Sequence, residues 1–397
     1  MLSYPESRDI SDDDLIIQRG QYLALAGNCE SCHTATNGVF MAGGLPFETP
    51  FGLIYSTNIT PDVATGIGTW TFEDFSNSMR HGIRPDGTHL YPVFPYTSFT
   101  KLIDDDLLAI FTYLSSIPAV NQSAPANDLP FPLNKRQLLA IWKTLFLKEG
   151  VFELDRTRSD SWNRGAYLVE ALMHCGACHT PRNFLGAEKR HSEMGGGVYT
   201  DRIPGGSYRP WFAPNLTSAP TGLSLWSHED TFSYLKAGRN SFVDGFGPMN
   251  KVIFNSTQYL GEEDLNAIAL YLKTLPPISN AESQSADRRT MGMGRTIYNL
   301  HCGTCHLPTG LGDPEMAPRL NLGSLVVQAE NPASLINVIL YGPEEPDPPL
   351  PPKWLNPMEE FQYLLDDEEV AALATYIRNS WNNNAGLVTA GQVAEQR

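Results

Sequence analysis

The sequence predicts a mainly α-helical protein built from three tandem modules joined by linkers. Three observations carry this reading. One five-residue motif recurs at residues 29, 175 and 302. A stretch of helical periodicity leads into each copy. A second helical stretch, acidic at its start, closes each copy. Internal repeats of this kind set an architecture before any single element does.

The motif reads Cys29-Glu30-Ser31-Cys32-His33, Cys175-Gly176-Ala177-Cys178-His179 and Cys302-Gly303-Thr304-Cys305-His306. C-x-x-C-H is the attachment pattern of a c-type haem. The paired thiols can form thioethers to the porphyrin edge, and the histidine reaches the iron as the proximal ligand. All six cysteines are used this way, so the expected cofactors are three covalent haem c groups. Other uses of a C-x-x-C pair fit worse. Structural zinc takes four ligands, often from two pairs set close together, and here the pairs lie more than a hundred residues apart. A thioredoxin-like pair needs no histidine after it. Such closely spaced cysteines would also be poor disulfide staples for 397 residues.

The leading segments match one another: Arg19-Gly20-Gln21-Tyr22-Leu23, Arg164-Gly165-Ala166-Tyr167-Leu168 and Gly294-Arg295-Thr296-Ile297-Tyr298. Each predicts an amphipathic helix that delivers the first cysteine at its C-terminal end. Two copies share a middle element, Asn58-Ile59-Thr60 with Gly66 and Trp70, and Asn215-Leu216-Thr217 with Gly222 and Trp226. It reads either as a loop folded over a haem edge or as a turn plus a core tryptophan. The closing helices begin at Asp104-Asp105-Asp106, Glu262-Glu263-Asp264 and Asp366-Asp367-Glu368-Glu369, where negative charge suits the first helical turn. Leu265, Ile268, Ala269 and Leu272 then recur at helical spacing. Pro118 and Pro276 stop the first two.

The expected boundaries are a cytochrome c domain over residues 1–120 and a linker with its own helix, from Arg136 to Phe146, over 121–160. A second domain follows over 161–278, a linker over 279–288, and a third domain with a polar tail over 289–397. The stretch from Pro343 to Pro352 is too Pro-rich for helix or strand and reads as a surface loop.

No apolar run approaches the roughly 18 residues that mark a membrane-spanning helix. The stretch from Met1 to Asp14 is polar and acidic, unlike a signal peptide. Covalent haem attachment is expected outside the cytoplasm, so an export signal is expected to have been removed or to lie outside this sequence. The net charge of −16 argues against nucleic acid, whose phosphates need Lys and Arg. A solvated acidic surface explains it more simply than a basic protein partner does.

A haem that only transfers electrons has both axial positions filled, and a methionine in the sixth raises its potential. In the second module the candidate is Met249, in Gly247-Pro248-Met249-Asn250, a loop with no helical pattern. Its rival is Met194. In the third it is Met358, in Asn356-Pro357-Met358 ahead of the closing helix, with Met316 as rival. The first module breaks the pattern: its equivalent stretch is Leu90-Tyr91-Pro92-Val93-Phe94-Pro95-Tyr96, and Phe94 cannot ligate iron. His89 would give bis-imidazole ligation and a lower potential. An open or water-filled position is the next option, then Met79 or His81. Met79 aligns with Leu235, which makes it a core position.

With these residues assembled, the chain resembles the triple-haem cytochrome c subunits of bacterial membrane-associated dehydrogenases, over nearly its whole length. The stretches that carry the resemblance are Trp162-Asn163-Arg164-Gly165-Ala166-Tyr167-Leu168-Val169, His174-Cys175-Gly176-Ala177-Cys178-His179-Thr180-Pro181-Arg182-Asn183 and Ser256-Thr257-Gln258-Tyr259-Leu260. Such subunits serve quinoprotein alcohol dehydrogenase, flavin-dependent gluconate and fructose dehydrogenases, and molybdenum hydroxylases acting on aldehydes or N-heterocycles. Phe94, together with Leu185-Gly186-Ala187-Glu188-Lys189, looks more like the molybdenum group.

The resemblance implies an electron-transfer subunit on the periplasmic side of the inner membrane. It would relay electrons from a catalytic dehydrogenase subunit, with an iron–sulfur small subunit, to ubiquinone, meeting the membrane surface through the complex. A quinoprotein or flavoprotein partner is the alternative. A haem enzyme of peroxidase type, using an open first haem, is the reading from another class.

Overall fold

The computed structural model describes residues 11–202, 208–278, 286–343 and 358–397. Most of the second linker and of the Pro343–Pro352 loop lies outside the described residues. The described chain is mainly helical, with two short antiparallel hairpins, Pro46–Thr49 with Gly52–Tyr55 and Gly197–Arg202 with Tyr208–Ala213.

The leading helices are Asp12–Ala26, Asp160–Tyr167 and Arg288–His301, and the closing helices are Asp104–Ser116, Glu262–Leu272 and Asp367–Arg378. Side-chain caps start most of them. Ser11 and Asp14 form a capping box, as do Asp366 and Glu369, while Ser159 and Asp287 accept from backbone N–H groups of the first turn.

Each leading helix crosses its closing helix at a glycine. A Cβ on Gly20 would lie 1.9 Å from the Ala109 carbonyl oxygen, one on Gly165 2.0 Å from that of Ala267, and one on Gly294 2.1 Å from that of Ala372. Tyr113, Tyr271 and Tyr376 pack beside the same three glycines. The backbones therefore touch, which only glycine permits. Arg19 clamps the first crossing to Asp106 at 2.5 Å, and Arg164 clamps the second to Asp264 through two bonds of 2.8 and 2.7 Å. Gly165 stands ten residues before Cys175, whereas Gly20 stands nine before Cys29. The extra residue is absorbed as a π-turn at Leu168–Leu172.

The chain falls into two compact units, Met1–Glu153 with Ala171–Met173, and Leu154–Glu170 with His174–Arg397. In the first, the linker helix forms over Leu138–Phe146. Its Lys143 Nζ donates to the carbonyls of His81 and Gly82 at 2.5 and 2.7 Å. These carbonyls end the helix Phe72–His81, where a cation is favoured.

The second unit holds both later helix pairs, and the boundary expected at 279–288 falls inside it. The hairpin strand Tyr208–Ala213 seals against the helix Ala333–Tyr341. Phe212 N–H donates to Ser334 Oγ at 2.8 Å, Asn337 Nδ2 donates to Pro210 O at 2.9 Å, and Arg209 lies 3.4 Å over the Tyr341 ring. Trp226, 3% exposed, stacks on Phe242 and donates its Nε1–H to Gly323 O at 2.8 Å. Of the two readings offered for this tryptophan, the core one describes it.

Candidate functional site

Each C-x-x-C-H motif follows its leading helix as a tight turn of the chain. Cys29–His33 and Gly176–His179 are α-helical. The N–H groups of His179 and His306 donate to the carbonyls of Cys175 and Cys302, both at 3.0 Å. This fold-back brings the histidine onto the side of the thiols. Burial pushes the thiols of Cys29, Cys175 and Cys302 up to about 12.

The three histidines share one geometry. His33 Nδ1 lies 2.7 Å from Thr57 O, His179 Nδ1 2.7 Å from Pro214 O, and His306 Nδ1 2.9 Å from Pro318 O. A carbonyl only accepts, so Nδ1 carries the proton and Nε2 keeps its lone pair. Burial holds all three imidazoles below their usual pKa, against the opposing effect of these carbonyl bonds. A neutral imidazole with Nδ1–H on a backbone carbonyl is the form that binds a metal through Nε2. The residues therefore fit a c-type haem: two thiols for the porphyrin edge and one oriented Nε2 for the iron, three times over.

The sequence alone did not reveal what holds those carbonyls. Asn58 follows Thr57 and Asn215 follows Pro214. Asn58 Oδ1 accepts from Thr60 N–H at 2.9 Å and Thr60 Oγ1–H at 2.7 Å, and its Nδ2 donates to Val120 O at 2.7 Å. Asn215 repeats this with Thr217 at 2.8 and 2.6 Å and Ile278 O at 2.7 Å. The Asn-x-Thr element thus ties the carbonyl behind His33 and the one behind His179 to the chain beyond the closing helix. In the third copy Asn383, also beyond the closing helix, donates to Leu320 O at 2.7 Å, two residues past Pro318. Repetition of Asn-x-Thr was the one signal pointing to it.

This geometry predicts a measurable effect. Asn215→Ala leaves the Thr217 N–H and Ile278 O without partners and should cost about 2–3 kcal/mol of stability. A looser Pro214 carbonyl also makes His179 a weaker donor to iron, so the second haem's potential should rise. Spectroelectrochemistry reads that rise. A stability loss with no change of potential would reduce Asn215 to a purely structural role.

The methionines divide by side. Met41 and Met194 occupy equivalent places: both 2% exposed, both at left-handed φ (58° and 60°), with N–H groups bonded to Thr34 and Thr180 hydroxyls. Their carbonyls accept from Ile59 and Leu216, just past the histidine-holding carbonyls. Met316 is two residues from Pro318, so it too belongs to the proximal loop. Met249 does not share that loop. It lies in the first turn of a short helix, Pro248–Asn255, rather than in the irregular loop expected. Pro248 suits that first turn because its missing N–H has no partner to lose there. A Cβ on Gly247, at φ 55°, would sit 2.8 Å from the Trp211 ring. Met358 is half-buried against the third core.

A shared hydrogen bond sets the register of the first module. Leu90 N–H donates to Gly82 O, and Gly245 N–H donates to Gly238 O. Counting four residues on from each reaches Phe94 and Met249. His89 then corresponds to Asp244, which is paired with Arg239 at 3.0 Å. His89 Nδ1 lies 2.9 Å from Lys143 Nζ, and its carbonyl accepts from Arg136 at 2.8 Å. Where Lys143 donates, a neutral His89 carries its proton on Nε2. Binding iron through Nε2 requires that proton on Nδ1 and the lone pair on Lys143, whose amine burial pushes down to about 8. Met79 is a core side chain of the helix Phe72–His81, and His81 Nδ1 faces Glu149 at 2.9 Å.

Comparison with known proteins adds independent findings. The cytochrome c family matches residues 293–381. The chain is 41% identical over 376 residues to a nicotinate dehydrogenase subunit of Pseudomonas putida, covering 92% of this chain and 30% of that protein. It is 39% identical over 404 residues to the cytochrome c subunit of the quinone alcohol dehydrogenase of Gluconacetobacter polyoxogenes, covering 97% and 85%. It is 37% identical over 413 residues to the gluconate 2-dehydrogenase cytochrome c subunit of Pantoea cypripedii, covering 100% and 92%. The chain therefore spans under a third of the first relative and most of the other two.

Proposed function

Since the chain belongs to the multihaem cytochrome c family of electron-transfer subunits in membrane-bound dehydrogenases, we propose that it draws electrons from a molybdenum-hydroxylase-type aldehyde dehydrogenase and delivers them to ubiquinone. The observation that carries the electron-transfer role is the threefold repetition of an oriented, neutral histidine directly after a thiol pair. A haem bound there supplies one-electron exchange between ferric and ferrous iron.

The protein's own part is to hold and tune. Cys29, Cys32, Cys175, Cys178, Cys302 and Cys305 would hold three haems, and His33, His179 and His306 would each offer one nitrogen to the iron. Met249 and Met358 would offer thioethers, which favour the reduced state of a bound iron. Phe94 carries no donor atom, so in the first module His89 or solvent would complete the ligands of a bound iron. We read the chain as three cytochrome c domains over 1–120, 161–278 and 289–397, on the periplasmic side of the inner membrane. Substrate oxidation belongs to the partner, together with an iron–sulfur small subunit.

The choice of partner rests on Phe94 and the stretch from Leu185 to Lys189, because identities of 41% and 39% to the nicotinate and alcohol dehydrogenase subunits are too even to choose. Affinity purification of the chain from native membranes tests it. A molybdopterin subunit should copurify, and aldehyde should reduce the haem bands. A quinoprotein or flavoprotein in its place overturns the partner assignment and leaves the relay role intact. Carbon monoxide binding to one haem of three would mark the first site as open, and peroxide turnover there would favour the peroxidase reading.

A further inference from the structure

We propose that the linker helix Leu138–Phe146 is a membrane-docking face of this chain, seated flat on an anionic lipid surface. The inference deepens the membrane-side relay proposed above by naming where this polypeptide itself meets lipid. The helix is apolar on the side turned to solvent. Leu138, Ile141 and Leu145 recur at i, i+3 and i+7 and are 44%, 62% and 64% exposed. Just ahead of the helix, Phe131 is 78% exposed and Leu133 39%. At about 100° per residue, Lys143 stands on the opposite face. There it is buried and bonded to His81 O, Gly82 O and His89 Nδ1. The helix is therefore anchored to its unit by Lys143 and by Trp142, edge-on to the buried Tyr96 ring at 6.2 Å, while a second apolar stripe faces out.

Charge points to the occupant. Residues 129–148 contain Lys135, Arg136, Lys143 and Lys148 and no Asp or Glu, in a chain of net charge −16. Arg136 and Lys143 turn inward, Arg136 onto His89 O and the Tyr91 ring. Lys135 and Lys148 remain exposed at the two ends of the helix. Two acids flank this stretch: Asp128, whose backbone bridges to Leu53, and Glu149, held by His81 Nδ1 at 2.9 Å. An exposed apolar stripe bracketed by lysines is the pattern of a helix lying in the interface plane of a membrane with anionic headgroups. A nine-residue helix is about 13 Å long, far short of spanning a bilayer. A stable protein interface engages roughly 20–30 residues a side, whereas this face is one short helix and the turn before it.

The test is flotation of the three-haem protein with vesicles of phosphatidylcholine alone or mixed with phosphatidylglycerol. Wild type should float with the anionic vesicles, and added salt should weaken the binding. Ile141→Asp with Leu145→Asp should lower binding at least tenfold, with an unchanged haem spectrum reporting an intact fold. Lys135→Glu with Lys148→Glu, which leaves the apolar stripe alone, should lose the preference for anionic vesicles. Both variants should still copurify with the catalytic subunit and be reduced through it, so failure of the relay reading would show there and not in flotation. Wild type that stays with the soluble fraction overturns the proposal. So does an aspartate variant that floats as well as wild type, or one that keeps vesicle binding and loses the catalytic subunit, which would make the face a protein contact.

Discussion

Gly294→Ala is expected to unfold the third helix crossing. The new Cβ would lie 2.1 Å from Ala372 O and 2.6 Å from the Tyr376 Cβ. Both obstacles are fixed, one being backbone and the other the root of a half-buried ring packed on Tyr298 and Trp381. The helices Arg288–His301 and Asp367–Arg378 would have to separate, and the core packed between them would open. The cost should exceed about 3 kcal/mol, above the 1–3 usual for an overpacked core. The same helix carries its own control. Nothing lies within 4 Å of a Cβ on Gly292, so Gly292→Ala should stabilise by up to about 1 kcal/mol through helix propensity alone. Denaturant midpoints of the two variants should move in opposite directions. If both move the same way, the helices do not touch as described.

Met249→His is expected to produce the largest redox change achievable without removing a haem. It replaces a thioether, which favours ferrous iron, by an imidazole, which does not. Axial ligands span roughly 0.8 V of haem potential, and this exchange should lower the second haem by on the order of 0.1–0.2 V. The other two haems should keep their potentials, because Met249 sits on a local device, the turn built by Gly247 over Trp211. Met194→Leu provides the contrast. Met194 belongs with Met41 on the proximal loop, and replacing it should change packing and leave the spectrum of the second haem unaltered. A potential that follows Met194 and ignores Met249 would reverse the assignment.

Much of this is legible in the sequence because the chain states its plan repeatedly. The leading and closing helices are marked by matched segments and acidic starts, and they form where those marks stand. The helix capped by Asp366 and Glu369 shows why: the signal is a local hydrogen bond, written in residues three apart. The glycine contacts are harder to read. Gly20 and Gly165 each follow an arginine, which draws attention to the charge, while the need for glycine arises from a carbonyl on a helix about a hundred residues away. Asn58 and Asn215 stand out as a repeat that reads as a loop over a haem edge or a turn. Their work, holding the carbonyl behind His33 and His179, depends on partners at Val120 and Ile278 that no local pattern names. The compact join between the second and third helix pairs is likewise hidden, since Phe212 and Ser334 meet only through tertiary packing. Phe94 is the reverse case. Its departure from methionine is visible in the sequence, and the hydrogen bonds from Leu90 to Gly82 and from Gly245 to Gly238 put it in register with Met249.

The most direct measurement is the haem content of the purified chain by the pyridine haemochrome assay, with mass spectrometry of the intact polypeptide. Three covalent haems per chain, one at each of Cys29/Cys32, Cys175/Cys178 and Cys302/Cys305, is the predicted result. Two or fewer, or haem that extracts into acidified organic solvent, would contradict the account, because the oriented histidines would then have no iron to serve.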